Sequence, residues 1–312
     1  MNQNAERILG EVKKVVVGKD KVMTKVLCAL LAQGHVLLED IPGVGKTTMA
    51  NAFAKAMSLK EKRMQFTPDV MPADVTGFHF FNKETGGFEY HEGPVMSNLF
   101  LADEINRTSP KTQSALLEVM EEGTVTIDGE TRQVPAPFFV IATQNPAGSA
   151  GTSLLPESQM DRFLVCLSLG YPDAKEELQI AKMRQKKTTG QRVSAVVTPK
   201  EIAQMQREVE AVYVHELIYD YAVRLVQQTR NTPLLQMGAS PRATIALIRM
   251  ASAYAYVADR DYVLPADVKE VFLDVTSHRV LLSAKARVSH VTARQVLTGI
   301  LEQTKAPKPG QA

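Results

Sequence analysis

Apolar residues recur at helical intervals through residues 4–32, and the pattern breaks once, at Val17-Gly18, so two helices are expected there. The spacing then changes. GHVLLED is a short apolar run that reads as a buried strand, and TTMANAFAKAM, a few residues on, reads as a helix. KRMQF, NLFLA, PFFVIATQ and RFLVCLSL give four further strands. Between NLFLA and PFFVIATQ lies SPKTQSALLEVMEEG, with Ser109 as N-cap, Pro110 at the first helical position and Gly123 as terminator. Leu116, Val119 and Met120 form its apolar face. Strands alternating with helices imply an α/β fold, a mostly parallel sheet covered on both faces.

Two segments depart from that alternation. GFHFFNKETGGFEYHE alternates aromatic and polar residues on either side of a Gly-rich turn, and TVTIDGETRQV behaves similarly around Asp128-Gly129. Both read as β-hairpins inserted into the α/β core. Beyond about residue 190 only helical signals remain. Thr198, Pro199 and Glu201 make an N-cap, an N1 proline and a capping-box glutamate. Leu217, Ile218, Tyr221, Ala222, Leu225 and Val226 share one helical face, and SPRATIALIRM opens on another Ser-Pro cap. The expected organisation is an α/β core over 1–190, a helical domain over 191–302 and a flexible tail over 303–312. The boundary falls in the polar stretch QKKTTGQRVSAVVTP.

Composition adds exclusions. The 312 residues are 45% hydrophobic and 22% charged, ordinary for a globular protein with a sizeable core. A formal net charge of +2 gives no overall basic field to draw the chain to nucleic acid or anionic lipid. Cys28 and Cys166 lie in apolar surroundings without metal-ligand spacing, so buried free thiols in a reducing compartment are expected. The histidines show no metal spacing either and are expected at the surface or in hydrogen bonds. The start, MNQNAERILGEVKK, is too polar for a signal peptide, and no run of about 18 apolar residues exists. A cytoplasmic protein without a membrane span is expected.

Candidate chemistry begins at DIPGVGKTT, residues 40–48, which has the spacing of a phosphate-binding loop, with Asp40 in place of the first glycine. Gly43 and Gly45 permit the tight turn, Lys46 supplies a positive charge, and the Thr47 hydroxyl can ligate Mg²⁺. The helix that follows adds the partial charge of its N-terminus. Asp is among the non-glycine residues that best tolerate an awkward backbone at the first position, at the mild cost of a negative charge near phosphates.

NLFLADE brings a buried strand to a tip of two acids, Asp103 and Glu104. One can hold Mg²⁺ through water, and the other can orient and deprotonate an attacking water. Alone they could equally be solvated acids; the loop upstream favours the chemical reading. Asn145 in VIATQNP either positions water against a terminal phosphate or forms an Asn-Pro turn.

These residues lie in LLEDIPGVGKTTMA, QFTPDVMPADVTG, LFLADEINRTSPKTQSALLEVMEE, VIATQNP, LPESQMDRF and GASPRA, which resemble the MoxR family of AAA+ ATPases over most of residues 35–245. The resemblance implies a P-loop NTPase fold: a parallel five-stranded sheet in the order 5-1-4-3-2, two β-hairpin inserts and an all-α lid. It implies ATP and Mg²⁺ as cofactors. Asp40, Pro42, Gly43, Val44, Gly45, Lys46, Thr47 and Thr48 would contact the nucleotide, and Val16, Val17 and Gly18 resemble the segment that contacts adenine. Thr47 and Asp103 would hold Mg²⁺, Glu104 would be the base, and Asn145 is similar to the sensor 1 residue. Arg162 resembles the arginine finger that reaches a neighbouring subunit's nucleotide, with Arg107 as a rival. Arg242 resembles sensor 2; Ser240-Pro241 puts it in the first turn of a lid helix, where it can point at the interdomain cleft. Asp40 is a common variant in MoxR-like chains.

The same resemblance implies a ring of copies, six by family expectation, acting on a protein client through a partner with a von Willebrand factor A domain. A nucleotide-switched scaffold and a nucleic-acid motor are the alternatives. The turn of the second hairpin sets Asp128 and Glu130 against Arg132, which disfavours phosphate contact. Phe78, Phe80, Phe81, Phe88 and Tyr90 of the first hairpin are either packing residues or a protein-contacting surface.

Overall fold

The structure, a computed structural model, describes residues 1–41, 43–145, 155–185 and 193–308. The chain opens with helices α1 (Gln3–Lys13) and α2 (Asp20–Leu31), then strand β1 (Val36–Glu39), helix α3 (Lys46–Ala56) and strand β2 (Glu61–Gln65). A short helix, α4 (Pro72–Thr76), leads into the hairpin β3 (Gly77–Asn82) and β4 (Gly87–Glu92). Then come β5 (Leu99–Asp103), α5 (Pro110–Glu122), the hairpin β6 (Thr124–Ile127) and β7 (Glu130–Gln133), and β8 (Phe139–Gln144). The α/β part closes with α6 (Glu157–Met160), β9 (Val165–Leu167) and α7 (Ala174–Gln185).

The central sheet has five strands in the order β2-β5-β8-β1-β9. Every pairing in it is parallel. In order along the chain, these strands give the expected 5-1-4-3-2. The inner strands read as unbroken apolar runs because both faces are covered. Successive residues alternate between two clusters: Leu38, Leu101 and Ile141 face α1, α2 and α3. Leu37, Phe100 and Val140 face Leu116 and Val119 of α5.

The local signals hold in detail. The Ser109 hydroxyl accepts from the Thr112 N–H (3.3 Å), and Gly123 ends α5 with φ 65°. At the tip of β6–β7, Asp128 and Gly129 both take positive φ, 51° and 83°, as a two-residue I′ turn requires.

The C-terminal region contains α8 (Pro199–Glu210), α9 (Glu216–Asn231), α10 (Pro241–Val257), α11 (Pro265–Thr276), α12 (Ala284–Val288) and α13 (Ala293–Gln303). The Thr198–Glu201 capping box is present at α8. The region departs from an all-helical reading in one respect: strands β10 (Leu235–Met237) and β11 (Leu281–Leu282) pair antiparallel. They are too short to show a period. The apolar residues of α8 to α11 and α13 run into the same cluster as those of α1 to α3.

Candidate active site

The parallel strands end at one edge of the sheet, and that edge collects the predicted chemistry. A cavity of about 420 Å³ opens beside the loop between β1 and α3. Val16, Val17, Gly43, Val44, Gly45 and Thr48, all expected from sequence to contact a nucleotide, line it together with Val15, Ala52 and Val193. Ile180 and Met183 of α7 close the far wall. An apolar slot beside a glycine loop suits a flat base attached to phosphates. Gly18 lies outside the wall but shapes it: its φ is +73°, and an added Cβ would stand 1.7 Å from the Glu176 carboxylate. Lys19 donates to the Tyr171 carbonyl (3.0 Å), fixing the 15–19 segment against the stretch before α7.

Gly45 takes φ 97° at the N-cap of α3, so the first N–H groups of the helix face the cavity mouth. Lys46 is buried beneath the loop, and its Nζ donates to the Asp40 carbonyl at 2.7 Å. Burial lowers its pKa, against the opposing pull of the Asp40, Asp103 and Glu104 carboxylates. Thr47 stands in the first turn of α3. Pro42 lies outside the described residues.

Asp40 behaves differently from the sequence expectation. Its backbone is not left-handed, so tolerance of strain is not what suits aspartate here. Its carboxylate instead accepts from the Ser168 hydroxyl (2.8 Å) and from the N–H groups of Leu169 (2.5 Å) and Gly170 (3.1 Å). It anchors the start of the loop to the end of β9.

At the tip of β5, Asp103 accepts from the Thr143 hydroxyl (2.5 Å) through one oxygen and from Arg63 (2.7 Å) through the other. Glu104 takes a left-handed backbone, φ 57° and ψ 48°, uncommon for a non-glycine residue. Its N–H donates to the Thr143 hydroxyl (2.9 Å). One oxygen of its carboxylate accepts from the Asn145 amide (3.1 Å) and the other from Arg107 (2.8 Å). Asn106 donates to the Asn145 carbonyl (3.3 Å), and Gln113 donates to the carbonyls of Ile105 (3.1 Å) and Thr108 (3.2 Å). The loop carrying Glu104 is thereby held from three sides. Sequence reasoning missed Gln113 and also Arg63, Thr143 and Asn106, whose partners lie about forty residues away in the chain.

The Asn145 amide oxygen is buried without a partner among the described residues. That suits a group meant to hold a water. Thr47 and Asp103 offer hard oxygen donors, which fit a magnesium ion that keeps waters and takes phosphate oxygens. No cluster of three or more His, Cys, Asp or Glu that could hold a metal exists among the described residues, so such an ion would depend on the nucleotide's own oxygens.

Arg162 and Arg242 are not at this edge. Both pair with Glu121, at the end of α5, at 3.0 Å each. They line a second cavity of about 340 Å³ between the sheet's opposite edge and the C-terminal helices, with Gly34, His35 and Arg249. Arg242 thus points into an interdomain cleft, but not the one beside the phosphate loop. The six-residue β8 spans about 20 Å, so neither guanidinium reaches its own chain's loop. Arg107, the rival, sits on Glu104.

Comparison with known proteins agrees with this geometry. A profile of the ATPase family associated with various cellular activities (AAA) matches residues 35–165, and one of the AAA lid domain matches residues 227–300. The uncharacterized protein YeaC of Bacillus subtilis is 48% identical over 296 residues, 95% of this chain and 92% of that protein. Chaperone MoxR1 of Mycobacterium tuberculosis is 40% identical over 312 residues, 97% of this chain and 82% of that protein. A crystal structure of a candidate ATPase from Cytophaga hutchinsonii superposes with a TM-score of 0.91 at 38% identity, covering 98% of this chain and 95% of that one.

Proposed function

This chain belongs to the MoxR family of AAA ATPases, and on that premise we propose that it hydrolyses ATP to ADP and phosphate in a ring of its own copies, using the cycle to remodel a protein client. The observation that carries the reading is Glu104, held between Asn145 and Arg107 at the tip of a buried strand beside the phosphate loop. Its carboxylate takes the proton of the attacking water, and the Asn145 amide orients that water. Lys46 leaves the Asp40 carbonyl for the phosphates, and the N–H groups at the start of α3 cradle them. Thr47 and Asp103 would hold Mg²⁺, which when bound neutralises phosphate charge.

Arg162 and Arg242 are out of reach of their own site, which supports their acting on the nucleotide of a neighbouring copy. A ring, six-membered by family expectation, supplies that neighbour. The core over 1–190 and the lid over 191–302 are its two domains. The client reading draws on the chaperone name of the mycobacterial relative, and the family expectation adds a partner with a von Willebrand factor A domain. The nucleic-acid alternative finds little in the second hairpin, where Arg132 is folded over the Tyr90 ring, 4.3 Å from its centre. No helix among the described residues is long and apolar enough to cross a membrane.

The test is Glu104→Gln, which should bind ATP, lose hydrolysis and hold its partners in a pull-down from cell extract. Lys46→Ala, unable to bind ATP, is the control. A Glu104→Gln chain with full biological function would mean a nucleotide-switched scaffold instead.

A further inference from the structure

We propose that Asp161 is a positioning residue that locks Arg162 to the lid, so that Arg162 and Arg242 are presented to a neighbouring copy as one rigid pair. This rests on the reading of those arginines as acting in trans. Asp161 precedes Arg162, and its two carboxylate oxygens go to two separate lid elements. Oδ2 accepts from the hydroxyl of Ser240, at 2.9 Å. Oδ1 accepts from the Nε of Arg279, at 2.6 Å.

Ser240 is the N-cap residue of α10, yet its side chain makes no capping bond. A serine in that place ordinarily turns its hydroxyl to the helix's own N–H groups. Here it is turned to Asp161 instead. Arg242 lies two residues further along, so the bond that fixes Asp161 also fixes the first turn that carries Arg242.

Arg279 follows α11 and is 6% exposed. Its guanidinium spends every donor on the segment around Arg162 and on its own helix. Beyond Asp161 Oδ1, it donates to the carbonyls of Asp161 (3.1 Å), Phe163 (2.6 Å), Leu164 (3.1 Å) and Val275. The neighbouring His278 adds a bond to the Phe163 carbonyl at 3.0 Å. Arginine's planar fork suits such a clamp, since one rigid group sets several carbonyls at once. On the outer side, Glu121 bridges Arg162 and Arg242 (3.0 Å each). Two carboxylates, one half-buried and one at the surface, therefore tie both arginines across the core–lid junction. Motion of the lid then moves both together.

A displacement of about 1 Å in a group that acts on the transition state can cost on the order of a hundredfold in rate. Asp161→Asn keeps the shape and an acceptor but removes the charge that holds Arg279. The expected result is a fall in kcat of about tenfold to a hundredfold, with the affinity for a fluorescent ATP analogue and the KM unchanged. Mixing supplies the decisive readout. Asp161→Asn retains its own phosphate loop and Glu104, whereas Glu104→Gln retains its arginines. An equimolar mixture should be several-fold more active per subunit than either variant alone, as should a mixture of Arg162→Ala with Glu104→Gln.

If the Arg162→Ala mixture recovers and the Asp161→Asn mixture does not rise above Asp161→Asn alone, or if Asp161→Asn alone keeps the wild-type kcat, the positioning role is overturned. If neither mixture recovers, the trans reading of the arginines falls, and this inference with it. Should Asp161→Asn lose its folded circular-dichroism spectrum, Ser240→Ala replaces it. That variant removes only the Oδ2 contact and should show a smaller loss of kcat with the same recovery on mixing; no loss would overturn the proposal.

Discussion

Asp40 shows how far a single position can differ from its motif. A glycine there would satisfy the loop pattern, but it would leave the Ser168 hydroxyl and the N–H groups of Leu169 and Gly170 without their acceptor. The Leu169 N–H bond is buried, so its loss is not repaired by water. Asp40→Gly, which restores the consensus spelling, should therefore destabilise the fold by about 2–3 kcal/mol. It should also weaken ATP binding, because the start of the loop loses its anchor to the end of β9. Asparagine is no remedy, since its amide NH₂ would face one of those donors. Urea unfolding checks the first part, and a change below about 0.5 kcal/mol would show that the anchor is unimportant. The reading of Asp40 from sequence named the wrong cause, because its partners lie more than a hundred residues away in the chain.

The two inserted hairpins, β3–β4 and β6–β7, hold each other rather than standing apart. His79 pairs with Asp128 at 2.8 Å, and Arg132 lies over the Tyr90 ring and within 3.4 Å of the His79 Nε2. Phe81 and Phe88, paired across the first hairpin, remain exposed. A partly exposed cation–π contact is worth roughly 1 kcal/mol. Arg132→Ala should thus speed amide exchange in Gly77–Asn82 and Gly87–Glu92 several-fold while leaving ATP affinity unchanged, since neither hairpin lines the nucleotide cavity. Unaltered exchange would mean that the hairpins are independent. At this scale the sequence was most legible. The five sheet strands, both hairpins and the caps at Ser109 and Thr198 are set by residues within a few positions of one another. Helix α7 was not foreshadowed: Leu178 and Ile180 are exposed, and no apolar stripe marks it. The β10–β11 ladder and the diversion of Ser240 to Asp161 depend on contacts between distant segments, which no local period records. The same limit hid which edge of the sheet would carry Arg162 and Arg242.

Two histidines, the buried His35 and the half-buried His278, tie the whole molecule's stability to pH. His35, just before β1, accepts from the Val140 N–H at Nδ1 (3.0 Å) and donates from Nε2 to the Met120 carbonyl (2.9 Å). It therefore joins the sheet to α5 in the neutral form only: a second proton would set an N–H against an N–H. Burial pushes its pKa down to about 4. His278, which bonds the Phe163 carbonyl, is likewise held well below the ordinary value by burial and by the adjacent Arg279. The sign follows from the unfolded chain, whose histidines take up protons near pH 6.5. Between that value and about 4, the unfolded state binds more protons than the folded one. Stability is full above pH 6.5 and falls as the pH drops through this window. For His35 alone the shift to about 4 corresponds to about 3 kcal/mol. Burial pushes the pKa values of Glu39 and Glu61 up, which acts in the opposite sense as the pH falls, so it is the comparison with a His35 variant that isolates the histidine. Unfolding free energies measured at several pH values in that window should decline for the wild type. In His35→Asn, whose amide oxygen can still accept from Val140, the starting stability should be lower but the decline markedly shallower. Parallel pH dependences in the two proteins would show that His35 does not carry the effect.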